Sequence, residues 1–174
     1  MLKMLSTQIT GKFLEIMETE QYHIEDAARS LSQAIIGQGT LYWFGFGEMH
    51  ALIDEVVHGA ETLPSSKIFQ SDIELHPMDR VVIATRFADH KDAMSLAKNI
   101  QESEAQVISL SAIRNDEHSL KQVADIHINT KITEPLLPLE NSRACFPSVM
   151  TMLYAYYGLV LTTREILADH EEDE

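Results

Sequence analysis

The sequence predicts an α/β fold, a three-layer αβα sandwich built around a five-stranded parallel sheet. Short apolar runs, typical of strands buried on both faces, alternate with longer stretches of helical periodicity. Such an alternation predicts right-handed crossovers between parallel strands, with helices on both faces of the sheet. The chain has 174 residues without repeats, low-complexity segments or linkers, so we expect a single domain over residues 1–174.

The stretch 41–59 is the centre of this prediction, because it reads as a strand, a glycine turn and a helix. Residues 41–44 are apolar or aromatic and too few for a helix. Gly45 and Gly47 follow, and two glycines one residue apart allow positive φ and close approach of the backbone. This unit opens doubly wound folds, and its helix N-terminus directs unpaired N–H groups at a bound anion. Apolar residues recur at helical spacing up to Gly59, a suitable C-cap: Met49, Leu52, Ile53, Val56 and Val57.

Two helices are expected before the first strand. Residues 2–18 carry one apolar stripe and residues 24–36 carry a second, which Gly37-Gln38-Gly39 ends. These helices would cover one face of the sheet or offer a surface to a partner subunit.

The remaining elements follow from the same patterns. Asp89 is the candidate N-cap of the helix after the second core strand. Residues 130–146 are expected to form a long connection, and Pro147 suits the first turn of a closing helix over residues 147–168, in which Gly158 favours a kink. We expect further strands over residues 67–70, 81–85, 106–110 and 125–129, and helices over residues 90–103 and 117–124.

Composition and charge exclude several classes of partner. The formal net charge is −14, which disfavours binding to nucleic acid because that requires a basic surface. Part of the excess lies in residues 169–174, which we expect to be a solvated acidic tail. No apolar run approaches the ~20 residues of a membrane span, and the N-terminal stretch lacks secretory features. The single Cys145 cannot form an intramolecular disulfide, which fits a cytoplasmic protein.

Small, hydroxyl-bearing or cationic residues follow four of the five predicted strands. They are Gly45 and Gly47, Thr85 and Arg86, Ser111 and Arg114, and then Thr130, Lys131 and Thr133. Ligands of such sheets bind at the carboxyl ends of the strands, and a guanidinium can hold a phosphate through two hydrogen bonds. The sequence therefore predicts a site for a small anionic ligand. Two observations argue against such a site. Loops are polar in any case, and the Glu48 carboxylate at the helix N-terminus could take the anion position.

A polar stripe runs along the helix of the central unit. His50, Asp54 and His58 stand four residues apart and share one helical face, beside Glu55. Two imidazoles and a carboxylate can hold a divalent metal or transfer protons, and Asp54, Glu55 or His58 would suit proton transfer if partly buried. A polar face toward solvent or another subunit explains the stripe more simply. No HExxH-type signature is present, so we predict no metal; residues 45–50 lack the third glycine of a dinucleotide fingerprint, so we predict no cofactor.

Four segments, together with the order of the elements, carry a family resemblance. They are residues 41–47, 80–85, 106–111 and 123–128. On these the chain resembles the sugar isomerase (SIS) family of phosphosugar-binding proteins, and within it phosphoheptose isomerase and a small uncharacterised branch. The resemblance extends over nearly the whole chain. It implies two N-terminal helices, five parallel strands in flavodoxin-like order and a closing helix.

Both ligand-binding turns depart from the family's pattern. Residues 45–49 read Gly-Phe-Gly-Glu-Met where the family usually has Gly-Asn-Gly-Gly-Ser, and residues 85–90 read Thr-Arg-Phe-Ala-Asp-His where it usually has Ser-Thr-Ser-Gly-Asn-Ser. Phosphoheptose isomerases also carry an acid on the first-unit helix and a histidine on the closing helix. The histidine position falls at Ser148, whereas Asp54 and Glu55 are available as acids.

The resemblance implies a cytoplasmic protein that binds a sugar phosphate and assembles as a homodimer or a higher homo-oligomer. Phosphoheptose isomerase-like isomerisation is the nearest activity, with Asp54, Glu55 and His58 as the candidates for proton transfer. The alternative is a catalytically inactive ligand-sensing or structural subunit. The residues expected at the ligand are Gly45, Gly47, Glu48, His50, Thr85, Arg86, Ser111 and Arg114.

Overall fold

Residues 1–172, which the computed structural model describes, form a five-stranded parallel sheet with helices on both faces. The strand order is β2-β1-β3-β4-β5, and every neighbouring pair is parallel. The predicted fold class is therefore confirmed. In chain order the elements are α1 (Leu2–Ile36), β1 (Leu41–Gly45), a 3₁₀ turn (Gly47–His50), α2 (Ala51–His58), β2 (Ser66–Ile68), β3 (Arg80–Phe87), α3 (Lys91–Gln101), β4 (Gln106–Ala112), α4 (Leu120–Val123), β5 (Ile126–Asn129), β6 (Leu137–Pro138), β7 (Arg143–Ala144) and α5 (Ser148–Glu172).

Different helices cover the two faces of the sheet. Side chains alternate along each strand, so Val82 and Ile108 face a cluster that contains residues of α1, α2 and α5. Val81 and Val107 face a second cluster, to which α3 and α4 contribute. Because both faces are buried, the core strands carry continuous apolar runs, and this is why the sequence identified them.

One helix replaces the two that were expected before the first strand. α1 runs without interruption over 35 residues. Residues 19–23 contain neither glycine nor proline, and Glu20 is buried on the same face as Ile16 and Ile24, so the packed face continues through this polar stretch. Gly37 caps the end of α1, as predicted.

Glu20 covers the free edge of β5. Its carboxylate accepts hydrogen bonds from the backbone N–H of Asn129 at 3.1 Å and from Lys131 Nζ at 2.5 Å, and His23 Nδ1 lies 2.9 Å away. Burial alone would raise the pKa of Glu20, but the hydrogen bonds from Lys131, Asn129 and His23 outweigh it and hold this pKa below its ordinary value of 4.5. The carboxylate thus occupies an edge where an unpaired N–H group would otherwise invite another strand.

The connection between β5 and α5 is more ordered than the sequence suggested. It contains the short antiparallel ribbon β6–β7, and Ile132 and Leu136 pack against Ile9 of α1. α5 begins after Pro147 and stays helical without interruption through Gly158.

α5 also reaches into the predicted acidic tail. Residues 169–172 are its exposed last turn, whereas Asp173 and Glu174 lie outside the described residues. No helix within residues 1–172 combines the length and the apolar content that a membrane crossing requires.

The turn after β1 depends on Gly45 for space. A Cβ atom on Gly45 would lie 2.2 Å from the carbonyl oxygen of Met49, far inside van der Waals contact. Only Gly47 of the two turn glycines has a positive φ, at 57°. The prediction of left-handed backbone therefore holds for Gly47, while Gly45 allows the 3₁₀ turn to pack against the end of β1.

Replacement of two glycines by alanine should have opposite effects on stability. Gly45→Ala should destabilise the fold by about 1–3 kcal/mol, since the added methyl overpacks the turn. Gly11→Ala is the matched control: Gly11 lies inside α1 with no atom within 4 Å of an added Cβ, so it should stabilise by about 0.5–1 kcal/mol. Urea unfolding of both variants measures the two changes, and a neutral Gly45→Ala would contradict the packing described.

Acid should destabilise the protein partly through Glu20. A carboxylate with a depressed folded-state pKa contributes stability that is present above its unfolded pKa of about 4.5 and is lost as the pH falls through the folded pKa. Glu20→Gln should cost about 3 kcal/mol at neutral pH, because Lys131 stays buried without its partner. The variant should also lose less stability than the wild type below pH 4.5.

Glu25→Gln is the control for this experiment, because its ion pair with Arg29 on the same helix is largely exposed and worth less than about 1 kcal/mol. Denaturant unfolding as a function of pH gives all three curves. Equal costs for Glu20→Gln and Glu25→Gln would show that the buried pair does not hold the edge.

Candidate functional site

The carboxyl ends of β1, β3 and β4 surround a cavity of about 340 Å³, which we call the Arg86 crevice. Parallel strands end at the same edge of a sheet, so residues far apart in the sequence converge there. Four of the predicted ligand residues line it, which are Gly47, Glu48, Arg86 and Arg114. The other lining residues are Phe46, Phe87, Asp89 and His90.

Arg86 is held by a carboxylate of the protein itself. Its Nε donates to Glu48 Oε1 at 2.5 Å, and the hydroxyl of Ser148 donates to the same oxygen at 3.2 Å. Burial on its own would raise the pKa of Glu48, but the hydrogen bond and charge of Arg86 hold it below 4.5. The hydrogen bond that Arg86 donates to Glu48 in turn raises the pKa of Arg86. The guanidinium of Arg86 is therefore already paired with a carboxylate of the protein itself.

Arg114 is fixed in a similar way. Its Nη2 donates to both carboxylate oxygens of Asp89, at 2.9 and 3.0 Å, and its guanidinium lies 3.6 Å from the centre of the Phe87 ring. Asp89 was expected to cap α3, but this ion pair engages it instead. His90 is the N-cap, and its Nδ1 accepts a hydrogen bond from Ala93 N at 3.3 Å.

Aromatic rings form one wall of the Arg86 crevice. The rings of Phe46 and His90 lie 4.6 Å apart, tilted by 43°, beside the two arginines. The sequence did not single out His90, although its place five residues after the predicted strand end at Thr85 was a usable signal. A crevice with aromatic walls and a few fixed charges suits a small polar ligand that has one apolar face.

The other four predicted ligand residues do not line the crevice. β3 continues to Phe87, so Thr85 lies inside the sheet and its hydroxyl donates to the Phe87 carbonyl at 2.7 Å. Ser111 is likewise still within β4 and is fully buried. Gly45 is buried beneath the 3₁₀ turn, and His50 is exposed at the end of that turn.

The predicted proton-transfer residues lie on α2, outside the crevice lining. Asp54 and His58 are exposed, so the burial that would tune them for proton transfer is missing. Glu55 is half-buried beside Tyr157 of α5, and a hydrogen bond with Glu55 raises the pKa of that phenol. In the described part of the chain, no three His, Cys, Asp or Glu side chains, including the stripe that begins at His50, are arranged to hold a metal ion.

Ser148 and Lys131, which the sequence also singled out, lie in different regions of the structure. Ser148, at the position where the resemblance implies a histidine, contacts the crevice through Glu48. Lys131 does not join the arginines, because it is paired with Glu20 below the end of β5. The cationic strand exits therefore separate into two regions.

Comparison by sequence identifies a family. Residues 1–167 match the family described as Domain of unknown function (DUF2529). The chain is also 37% identical over 172 residues to Uncharacterized protein YwjG from Bacillus subtilis (strain 168), covering 98% of this chain and 99% of that protein.

Comparison by structure identifies the fold. An E. coli CFT073 protein solved in complex with a sugar phosphate has a TM-score of 0.69 at 14% identity, over 95% of this chain and 90% of that one. A phosphoheptose isomerase from Francisella tularensis has a TM-score of 0.62 at 13% identity, over 92% and 94%. A protein from Silicibacter pomeroyi DSS-3 gives 0.67 at 14% identity over 95% of this chain, which spans only 52% of that structure's length. The fold is that of the SIS domain, as the resemblance implied.

Proposed function

The chain belongs to the family described as Domain of unknown function (DUF2529), and we propose that it binds a phosphosugar or a related carbohydrate derivative in the Arg86 crevice. One observation carries this proposal: two arginines, one near the end of β3 and one just beyond β4, converge on one crevice in a protein of formal net charge −14. The crevice lies where open α/β sheets bind their ligands. The structural neighbour from E. coli CFT073, which was solved with a sugar phosphate bound, supports the same class of ligand.

The paired arginines favour a sugar phosphate over free phosphate. Any anion that binds Arg86 must displace or share Glu48, which then needs a new hydrogen-bond donor. Inorganic phosphate brings at most two P–OH donors on the anion itself, whereas a sugar phosphate also brings several hydroxyl groups away from the phosphate that can donate to Glu48 and Asp89. Its ring can pack on the wall formed by Phe46 and His90. The crevice thus offers partners both to the phosphate group and to the sugar of the ligand.

A non-catalytic, ligand-sensing role is favoured over phosphoheptose isomerase-like turnover. Isomerisation needs a base that removes a proton next to a carbonyl, and an effective base has a pKa near the working pH. Glu48 lies in the crevice, but Arg86 and Ser148 keep it ionised and weakly basic. Ser148 itself stands where the resemblance implies the catalytic histidine, and a hydroxyl cannot replace an imidazole as a base at neutral pH.

A homodimer or higher homo-oligomer, which the resemblance implies, is part of the same proposal. α1 and α5 expose large apolar side chains, among them Met17, Tyr22 and Leu161. Met17 and Leu161 line a groove between the two helices. An exposed apolar surface of this kind is compatible with contact between subunits.

Arg86→Ala should weaken binding of a sugar phosphate by about tenfold or more, because a hydrogen bond to a charged group is worth about 1.5–3 kcal/mol. Arg29→Ala, which removes an exposed arginine of α1, is the matched control and should not change affinity. Calorimetric titration with pentose, hexose and heptose phosphates measures both variants, after a thermal-shift screen selects the ligand. Equal affinity of wild type and Arg86→Ala would remove Arg86 from the site.

Glu48→Gln should act in the opposite direction on inorganic phosphate. The substitution frees Arg86 from a half-exposed ion pair worth about 0.2–1 kcal/mol, so phosphate affinity should rise by up to about fivefold. Glu102→Gln, at an exposed position beyond α3, is the control. Phosphorus NMR titrations give the affinities, and an unchanged value in Glu48→Gln would mean that Glu48 does not compete with the anion.

The bound sugar phosphate should keep its C2 hydrogen in heavy water. Isomerases exchange this hydrogen with solvent, whereas a binding protein without a base leaves it in place. Proton NMR of the ligand, with and without the protein, measures the exchange. Protein-dependent exchange would contradict the ligand-sensing role, and the variants Glu48→Gln, His90→Gln, Asp54→Asn, Glu55→Gln and His58→Gln would then locate the base.

A further inference from the structure

A second cavity, of about 410 Å³, lies at the β5 edge of the sheet, where residues of α1 and α4 meet the strand. We call it the β5 cavity. It shares no lining residue with the Arg86 crevice, so it is a separate site. Its polar lining residues include Glu20, Lys121, Asp125, His127, Asn129 and Lys131, and Ala124 is one of its apolar lining residues.

His127 lines the β5 cavity, and one of its two ring nitrogens is buried without a hydrogen-bond partner in the described part of the chain. The side chain belongs to β5, is only 7% exposed, and is fixed by a 2.7 Å hydrogen bond between Nδ1 and the hydroxyl of the fully buried Ser109. Nε2 has no partner among residues 1–172. Burial lowers the pKa of His127 to about 4, so the ring is neutral at physiological pH. A buried polar atom without a partner destabilises the protein, and a ligand that forms a hydrogen bond to it removes that cost.

The charged groups around the β5 cavity already have partners within the protein. Lys131 is paired with Glu20 at 2.5 Å, and Lys121 with Asp116 at 3.0 Å. Asp125 accepts a backbone N–H bond at 2.7 Å. An ionic ligand would compete with these interactions, whereas an uncharged ligand would leave them intact. The arrangement therefore favours an uncharged ligand.

We propose that the β5 cavity binds an uncharged polyhydroxylated molecule of monosaccharide size through a hydrogen bond to His127 Nε2. A hydroxyl group both donates and accepts, so it satisfies Nε2 whichever nitrogen of the neutral ring carries the proton. Further hydroxyls can bond to the side chains of Asn129 and of the Glu20–Lys131 pair, which are held in place by their existing contacts. The cavity volume lies within the range of small-molecule sites, about 300–1,000 Å³.

The test is a titration of the full chain with glycerol, D-ribose, D-glucose and myo-inositol, followed by proton–nitrogen NMR of the histidine rings. At least one of these polyols should shift the His127 ring and the Asn129 backbone amide in a saturable way. Ala124→Leu, which fills the cavity and keeps every polar group, should weaken that binding at least about tenfold. His127→Phe should do the same, read at the Asn129 amide.

Two controls separate this site from others. His170→Gln, at an exposed position in the last turn of α5, should bind as the wild type does. Arg86→Ala should also retain polyol binding, because the Arg86 crevice is a different site. If His127→Phe does not fold, Ala124→Leu decides. The proposal is overturned if no polyol shifts the His127 ring in the folded wild type, if the shift persists undiminished in Ala124→Leu, or if crystals soaked in the polyols show only water on Nε2.

Discussion

The parallel direction of all five strands is the constraint from which the rest of the molecule follows. A parallel sheet needs helices on both faces, because each crossover returns along one of them. It also brings every carboxyl end to one edge, where Arg86 and Arg114 meet although 28 positions separate them in the sequence. The functional chemistry is thus a consequence of strand direction, and the residues at the strand ends decide what that edge can bind.

Pairing of charges is the main physical theme at that edge and beyond it. In the Arg86 crevice, Glu48 and Asp89 occupy the arginines, so a ligand must compete with carboxylates of the protein. In the β5 cavity, the Glu20–Lys131 pair is almost completely buried, and burial of two charges is tolerated because each hydrogen-bonds the other. In the Arg86 crevice, an anion can replace a carboxylate as the partner of an arginine. In the β5 cavity, the group that lacks a hydrogen-bond partner is the neutral imidazole of His127.

The sheet could be predicted well from the sequence because β1 and β3 are buried on both faces. Strands of this kind contain continuous apolar runs, which are easy to recognise in a sequence. Only half of the residues that line the Arg86 crevice were predicted, because the end of a strand can be located from the sequence only to within a few residues. Thr85 and Ser111 were placed at strand exits, yet β3 and β4 extend past them. The single helix α1 was missed because the polar residues 19–23 resemble a break. Glu20 is buried there beside Asn129 and Lys131, hydrogen-bond partners 109 and 111 residues away that no local pattern reveals.

The continuity of α1 has a consequence for how this sequence can change. Residues along α1 contact three distant parts of the molecule, so the rotation of the helix about its axis is fixed at three places. Ile9 packs on Leu136, Glu20 accepts a hydrogen bond at the end of β5, and Ser30 accepts a 2.7 Å hydrogen bond from Arg80 of β3. An α-helix turns by about 100° per residue. One inserted residue in the middle of α1 would rotate Ile9 away from its pocket if Ser30 kept its place. Length changes in α1 are therefore restricted to nearly whole turns, while the surface loops have no such restriction.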